Sequence, residues 1–100
     1  MKKILLIICL IPFYSFAGVD CTEKISTVIL HQNGNVYFQT DKTCGSWCQI
    51  KWTSEKDKDR AFSMLLTAKT ANQAVRLYWN DLSSCSEKNV TYQSPEYIIY

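Results

Sequence analysis

The sequence contains few of the side chains on which enzymes and metalloproteins usually depend. It has a single histidine, His31, and no CxxC motif. With one imidazole, a tetrahedral zinc site would need thiolates, which an oxidising compartment converts to disulfides. His31 falls near a predicted hairpin turn, where we interpret it as a solvated surface side chain rather than a general base. We therefore predict no catalytic residue, no metal site and no cofactor.

The chain also lacks an excess of charge. It has 11 Lys and Arg against 9 Asp and Glu, and Lys2 and Lys3 belong to the N-terminal leader described next, so the remainder is close to neutral. Proteins that bind nucleic acids depend on basic patches, because contacts with phosphates dominate their affinity. The charge balance therefore argues against a nucleic-acid partner.

No apolar run is long enough to cross a bilayer comfortably. The run from Ile4 to Phe13 follows two lysines and precedes Ser15 and Ala17, small residues at the positions typical of a cleavage site. We predict that residues 1–17 are a signal peptide and that residues 18–100 form one domain without a membrane span. After cleavage near Ala17, the protein is expected to be secreted or periplasmic.

Four cysteines, an even number, lie outside the leader. They are Cys21, Cys44, Cys48 and Cys85. In a small exported domain this count predicts two disulfides, each of which contributes roughly 2–4 kcal/mol to stability. Their spacing alone leaves all three pairings open.

Alternating apolar and polar residues predict five strands with one helix between the third and fourth. The first two strands flank Asn33-Gly34, a dipeptide that favours a type I′ hairpin turn. Ser54 is the expected helix N-cap and Asn72 the C-cap. The helix should bury an apolar stripe of Ala61, Phe62, Leu65, Leu66 and Ala68.

This order of elements, β-β-β-α-β-β, is that of an OB-fold, a five-stranded barrel whose helix plugs one end. In that fold the first and fourth strands are antiparallel neighbours. Cys21 and Cys85 would then approach each other, and Cys44 and Cys48 would close the second hairpin. The predicted topology thus favours Cys21–Cys85 with Cys44–Cys48 over the other two pairings.

Aromatic residues make up 13% of the sequence, and several fall where the alternation points outward. Exposed rings stack on sugars or anchor protein interfaces, although they also serve as cross-strand pairs in small barrels. Trp52 and Trp79 are expected in the core instead. The candidate ligand-binding residues are Tyr37, Trp47, Tyr78 and Tyr92.

The segments AFSMLLTAKTANQAVRLYW (Ala61 to Trp79), LSSCS and, more weakly, EKISTVIL resemble the B subunit of subtilase cytotoxin and its typhoid-toxin relatives. The resemblance implies an OB-fold protomer of a homopentamer that binds sialylated or related host glycans and carries a catalytic A subunit. Cys21 stands about where those subunits place a sugar-binding serine, so no individual sugar contact is carried over.

We therefore expect an exported, non-catalytic binding protein that recognises a glycan in the manner of a bacterial toxin B subunit. Two alternatives remain open. One is a stand-alone periplasmic or secreted module that binds another protein, as an inhibitor or accessory factor. The other is a small hydrolase, for which the sequence shows no nucleophile with its base.

Overall fold

The computed structural model describes residues 18–100, so the predicted signal peptide, residues 1–17, lies outside the described residues. The domain is mainly β-structure with one helix, as predicted. Its five strands form a single antiparallel sheet in the order β3-β2-β1-β4-β5. Along the chain the elements are β1 (Val19–Leu30), β2 (Val36–Thr40), β3 (Cys48–Ile50), α1 (Glu55–Ala71), β4 (Ala74–Trp79) and β5 (Tyr97–Ile99).

The long first strand organises the sheet because it pairs with two different neighbours. Its first half, from Val19 to Lys24, pairs with β4. Its second half, from Ile25 to Leu30, pairs with β2, and the register shifts between Ile25 and Thr27. A strand bends where an extra residue interrupts the ladder, so β1 turns as it passes from one partner to the other.

Hydrogen bonds connect the β3 edge of the sheet with the residues that lead into β5. The backbone N–H of Gln49 donates to the carbonyl of Gln93 across 3.0 Å. The indole N–H of Trp52, just beyond β3, donates to the carbonyl of Pro95 across 2.9 Å. The segment before β5 therefore covers the edge of β3, which would otherwise present unpaired backbone groups. Trp52 is half-buried against the core rather than fully inside it.

The β1–β2 hairpin forms as predicted, but its turn is not of type I′. That turn requires positive φ angles at both central residues, and only Gly34 of the Asn33-Gly34 pair has one, at 91°. Instead, the side chain of Asn33 accepts a hydrogen bond from the backbone of Asn35 (2.9 Å). This local bond stabilises a longer loop, residues 31–35, because Asn side chains compete readily for nearby backbone groups.

Both predicted helix caps are confirmed. The hydroxyl of Ser54 accepts a hydrogen bond from the backbone of Asp57 (3.2 Å), and Asn72 ends the helix in the left-handed conformation with φ 55°. The predicted apolar stripe is only partly correct. Leu66 is 44% exposed because it lies at the margin of the face that packs on the sheet, and the helical residues that are buried are Ala61, Leu65 and Ala68.

The structure contains the disulfides Cys21–Cys85 and Cys44–Cys48, the pairing that the topology favoured. Cys21 lies within β1 rather than before it, opposite Leu77 of β4. The core packs the helix against the inward side chains of the sheet. Its largest fully buried residues are Trp79, Phe38, Ile50, Leu65 and Leu77.

One acidic side chain is buried in this core. Glu23 on β1 is 1% exposed, and its carboxylate accepts hydrogen bonds from the hydroxyls of Thr40 and Thr43 and from the backbone N–H of Thr43. Nearby, Asn89 donates to the Thr43 hydroxyl (3.1 Å). These bonds offset the cost of removing a carboxylate from water.

Candidate functional site

Side chains from three separate segments line a shallow depression on the outer surface of the sheet. We call it the aromatic concavity. Its volume is about 210 Å³, and it is open to solvent on one side. The lining residues are Ile29, His31, Tyr37, Trp47 and Tyr92.

The β1–β2 hairpin supplies one wall of the aromatic concavity. Ile29 and Tyr37 face each other across the two strands, so their side chains lie on the same outer face. The Tyr37 hydroxyl accepts a hydrogen bond from the side-chain amide of Asn35 (3.1 Å). The His31 ring meets the Tyr37 ring edge to face, with 6.4 Å between centroids. The hairpin thus fixes both the backbone and the ring of Tyr37.

The loop between β2 and β3 supplies Trp47. This residue directly precedes Cys48, whose disulfide to Cys44 closes the loop across a separation of 4 residues. The side-chain amide of Gln39 also donates to the carbonyl of Gly45 (3.1 Å). A covalently closed loop of this size has few backbone conformations, so the position of Trp47 is restricted before any ligand arrives.

The loop between β4 and β5 supplies Tyr92, in an unusual backbone conformation. Its φ of 69° lies in the left-handed region, which costs a residue with a side chain roughly 1–2 kcal/mol. The conformation is held by a hydrogen bond from its N–H to the carbonyl of Trp47. The Tyr92 ring, 46% exposed, lies 5.5 Å from the Tyr37 ring. Non-glycine residues kept in this region are concentrated at functional sites, since the surrounding structure must maintain the strain.

The structure brings together three of the four predicted ligand-binding residues: Tyr37, Trp47 and Tyr92. Tyr78 lies elsewhere, on β4, where its ring stacks on that of Tyr97 with centroids 5.1 Å apart. The hydroxyl of Tyr97 donates to Asp20 (3.0 Å), and this hydrogen bond raises the pKa of Tyr97 above its ordinary value. Tyr78 therefore belongs to a cross-strand ring pair and not to the aromatic concavity, because β1 separates β4 from β2 in the sheet.

Comparison of the chain with protein-family models, with curated proteins and with solved structures found no match.

The chemistry of the aromatic concavity is that of contact and hydrogen bonding. Among the five lining residues, His31 supplies the only imidazole, and none is Lys, Arg, Asp or Glu. Within residues 18–100, no group of three or more His, Cys, Asp or Glu is placed to hold a metal ion. In the same part of the chain, no helix has the length and apolarity needed to span a bilayer. The rings offer apolar faces, and the indole N–H and hydroxyl groups offer polar edges.

Two lining residues were not predicted from the sequence. Ile29 was assigned only to a strand, and His31 only to the solvated surface near the turn. His31 is indeed exposed, but its ring also forms part of the aromatic concavity. The register of the hairpin is the signal that identifies Ile29, because it pairs this residue with Tyr37.

Proposed function

We propose that the protein is an exported, non-catalytic binding protein that recognises a glycan in the aromatic concavity. The observation that carries the proposal is the convergence of Tyr37, Trp47 and Tyr92 from three segments on one solvent-accessible depression. Aromatic rings bind the apolar C–H faces of sugars, while their polar edges and neighbours bind hydroxyl groups.

The segments that carry the rings are held in place before any ligand arrives, which favours binding. Tyr37 is fixed by its strand and by Asn35, Trp47 by a disulfide-closed loop, and Tyr92 by its bond to the Trp47 carbonyl. Segments that are ordered before binding lose less conformational entropy when the ligand arrives, which lowers the cost of binding.

We further propose that the sheet is an OB-fold barrel. Its strand order, with hydrogen bonds between the β3 edge and the segment before β5, is the arrangement that closing such a barrel requires. In OB-folds the ligand face is formed by the second and third strands with the loops that follow the first and fourth. The aromatic concavity uses these same elements, since His31 and Tyr92 come from those two loops.

The proposal also includes export from the cytoplasm and assembly into an oligomer. Two disulfides in a small domain are consistent with an oxidising compartment outside the cytoplasm, which agrees with the predicted signal peptide. By the resemblance to toxin B subunits, we propose a homopentamer that carries a catalytic A subunit and binds a host glycan. The native mass of residues 18–100, measured by light scattering, tests the pentamer directly, and a monomer at micromolar concentration would contradict it.

Binding to a glycan array, after the fold has been verified by circular dichroism, tests the main proposal. Trp47→Ala should abolish binding because it removes the ring held by the closed loop. Tyr100→Ala is the matched control, since Tyr100 is 53% exposed and lies outside the aromatic concavity. A folded protein that binds no glycan on the array would refute the proposal.

A protein partner is the second candidate function, and exposed aliphatic side chains favour it. Leu30 is 55% exposed and Val90 is 67% exposed, and each is close in sequence to a lining residue of the aromatic concavity. Large exposed apolar side chains are typical of interfaces when they form one patch. Capture of one defined exported protein, lost on Leu30→Ser and Val90→Ser and kept on Trp47→Ala, would favour this function over glycan binding.

A further inference from the structure

We infer that the aromatic concavity is built for a single uncharged sugar unit at the end of a glycan, and not for an acidic sugar such as sialic acid. This inference rests on the proposed glycan-binding function and specifies its ligand. It departs from the sialylated ligands that the resemblance to toxin B subunits implies.

The size of the aromatic concavity sets the size of the ligand. Pockets for drug-sized molecules occupy roughly 300–1,000 Å³. At about 210 Å³, this depression is smaller and accommodates one ring, with the rest of the glycan in solvent. A single sugar ring makes few contacts in an open depression, so one site binds it weakly. Useful binding therefore requires several sites at once.

The charge of the surroundings determines the class of sugar. The outer row that crosses the three strands consists of Ile29, Tyr37 and Gln49. The next row contains Thr27 opposite Gln39. All five residues are uncharged, and the lining of the aromatic concavity contains His31 but no Lys or Arg, so neither the rows nor the lining supplies a permanent positive charge for a carboxylate. Recognition of a carboxylate usually uses Arg or Lys, because charge-assisted hydrogen bonds are about twice as strong as neutral ones.

Two carboxamide side chains lie next to Tyr37. Gln49 lies directly opposite Tyr37 on the outer face, and Asn35 already contacts the Tyr37 hydroxyl. A carboxamide provides both donors and an acceptor, which matches the hydroxyl groups of a neutral sugar, each also a donor and an acceptor. Gln49 is not among the five lining residues, but it lies next to Tyr37 in the outer row, so it is the side chain that we expect to orient a sugar stacked on Tyr37.

Lys51 is a cation that any test must take into account. It follows Gln49 by two residues, and its backbone N–H donates to the Ser94 hydroxyl (3.0 Å). Lys51 does not line the aromatic concavity. Its replacement by Ala should therefore leave the binding of a neutral sugar unchanged.

The test compares polymer conjugates that display terminal galactose, glucose, mannose or N-acetylglucosamine with a conjugate in which the galactose is capped by sialic acid. The mature protein is immobilised at the same density throughout, so that multivalency is constant. At least one neutral conjugate should bind ten times more tightly than the sialylated one. Gln49→Ala should reduce that binding tenfold, and Gln73→Ala, an exposed glutamine beyond the helix, should not.

The results of this test distinguish an error in this inference from an error in the proposed function. If the sialylated conjugate binds as tightly as the neutral ones, and its binding is lost on Trp47→Ala or Lys51→Ala, the inference is wrong and glycan binding stands. If no conjugate binds to protein whose fold and disulfides have been verified, both are wrong. Binding of a neutral conjugate that depends on Trp47 and Gln49 supports both.

Discussion

The indole N–H of Trp79 donates a hydrogen bond to the carboxylate of Glu23 across 2.8 Å, connecting residues 56 positions apart. The hydroxyls of Thr40 and Thr43, the backbone N–H of Thr43 and the Trp79 indole all donate hydrogen bonds to this carboxylate. Its two oxygens accept them. The bond links β1 to the end of β4, the two strands that also flank the Cys21–Cys85 disulfide. A polar contact thus helps fix the centre of the fold.

Glu23→Gln should lower the free energy of unfolding by about 2 kcal/mol, because the new amide N–H₂ faces hydrogen-bond donors instead of accepting from them. Urea unfolding of the oxidised protein measures the loss. Glu55→Gln is the control: this side chain is 78% exposed and pairs only with Lys58 (3.1 Å), so the change should stay within about 0.5 kcal/mol. Equal losses in the two variants would show that the buried hydrogen bonds contribute nothing specific.

Removing the two disulfides separately should have unequal effects. The chain-entropy model gives about 4 kcal/mol for a separation of 64 residues and about 2 kcal/mol for a separation of 4. The double variant Cys21→Ala/Cys85→Ala should therefore be about 2 kcal/mol less stable than Cys44→Ala/Cys48→Ala in thermal or urea unfolding. The opposite order would contradict the model.

Glycan binding should fall more in Cys44→Ala/Cys48→Ala than in Cys21→Ala/Cys85→Ala, the opposite of the order expected for stability. Cys44→Ala/Cys48→Ala releases the loop that holds Trp47, so its binding should fall more than its stability predicts. Cys21–Cys85 lies away from the aromatic concavity, and its loss should affect binding only by lowering the fraction of folded protein. Isothermal titration at a temperature where both variants are folded separates the two effects.

Tyr92→Gly should be more stable than Tyr92→Ala by about 1 kcal/mol. Both variants lose the ring, but only glycine adopts a φ of 69° without a steric penalty. Both variants should also lose glycan binding, because both lack the ring. This result would indicate that the strained backbone conformation serves to position the Tyr92 ring. Equal stabilities in the two variants would mean that the backbone relaxes out of the left-handed conformation once the ring is removed.

Tyr97 should remain protonated above its ordinary pKa of 10.0, since its hydrogen bond to Asp20 favours the neutral phenol. A raised pKa in the folded state contributes stability below the unfolded pKa, and this contribution is lost as the pH rises through the folded pKa. Titration of the ring carbon signals of Tyr97 by NMR measures the shift. Asp20→Ala should lower the pKa toward 10, and Asp59→Ala, on the helix, should leave it unchanged.

The local elements follow from the sequence. Ser54 and Asn72 mark the ends of the helix because each acts on backbone groups within a few residues. The alternation in β4 assigns Trp79 to the core for a similarly local reason, since neighbouring side chains of a strand point to opposite faces. The cysteine count likewise predicted two disulfides.

Other features depend on contacts that the residue pattern does not reveal. Asn33-Gly34 favours one turn, but Asn33 hydrogen-bonds to a neighbouring backbone group and stabilises a longer loop. Leu66 fits the helical stripe, yet the width of the face covered by the sheet leaves it exposed. The burial of Glu23 depends on donors from β2, from the loop after β2 and from β4, which meet only in the folded protein.

The candidate site also combines features that follow from the sequence with features that only the tertiary structure sets. The sequence by itself determined that Tyr37 and Tyr78 point outward, because alternation along a strand is local. Only the tertiary structure decided that Tyr37, Trp47 and Tyr92 meet and that Tyr78 does not, because β1 separates β4 from β2 in the sheet. The left-handed φ of Tyr92 is likewise set by its bond to the carbonyl of Trp47, a contact that exists only once the loops have packed together.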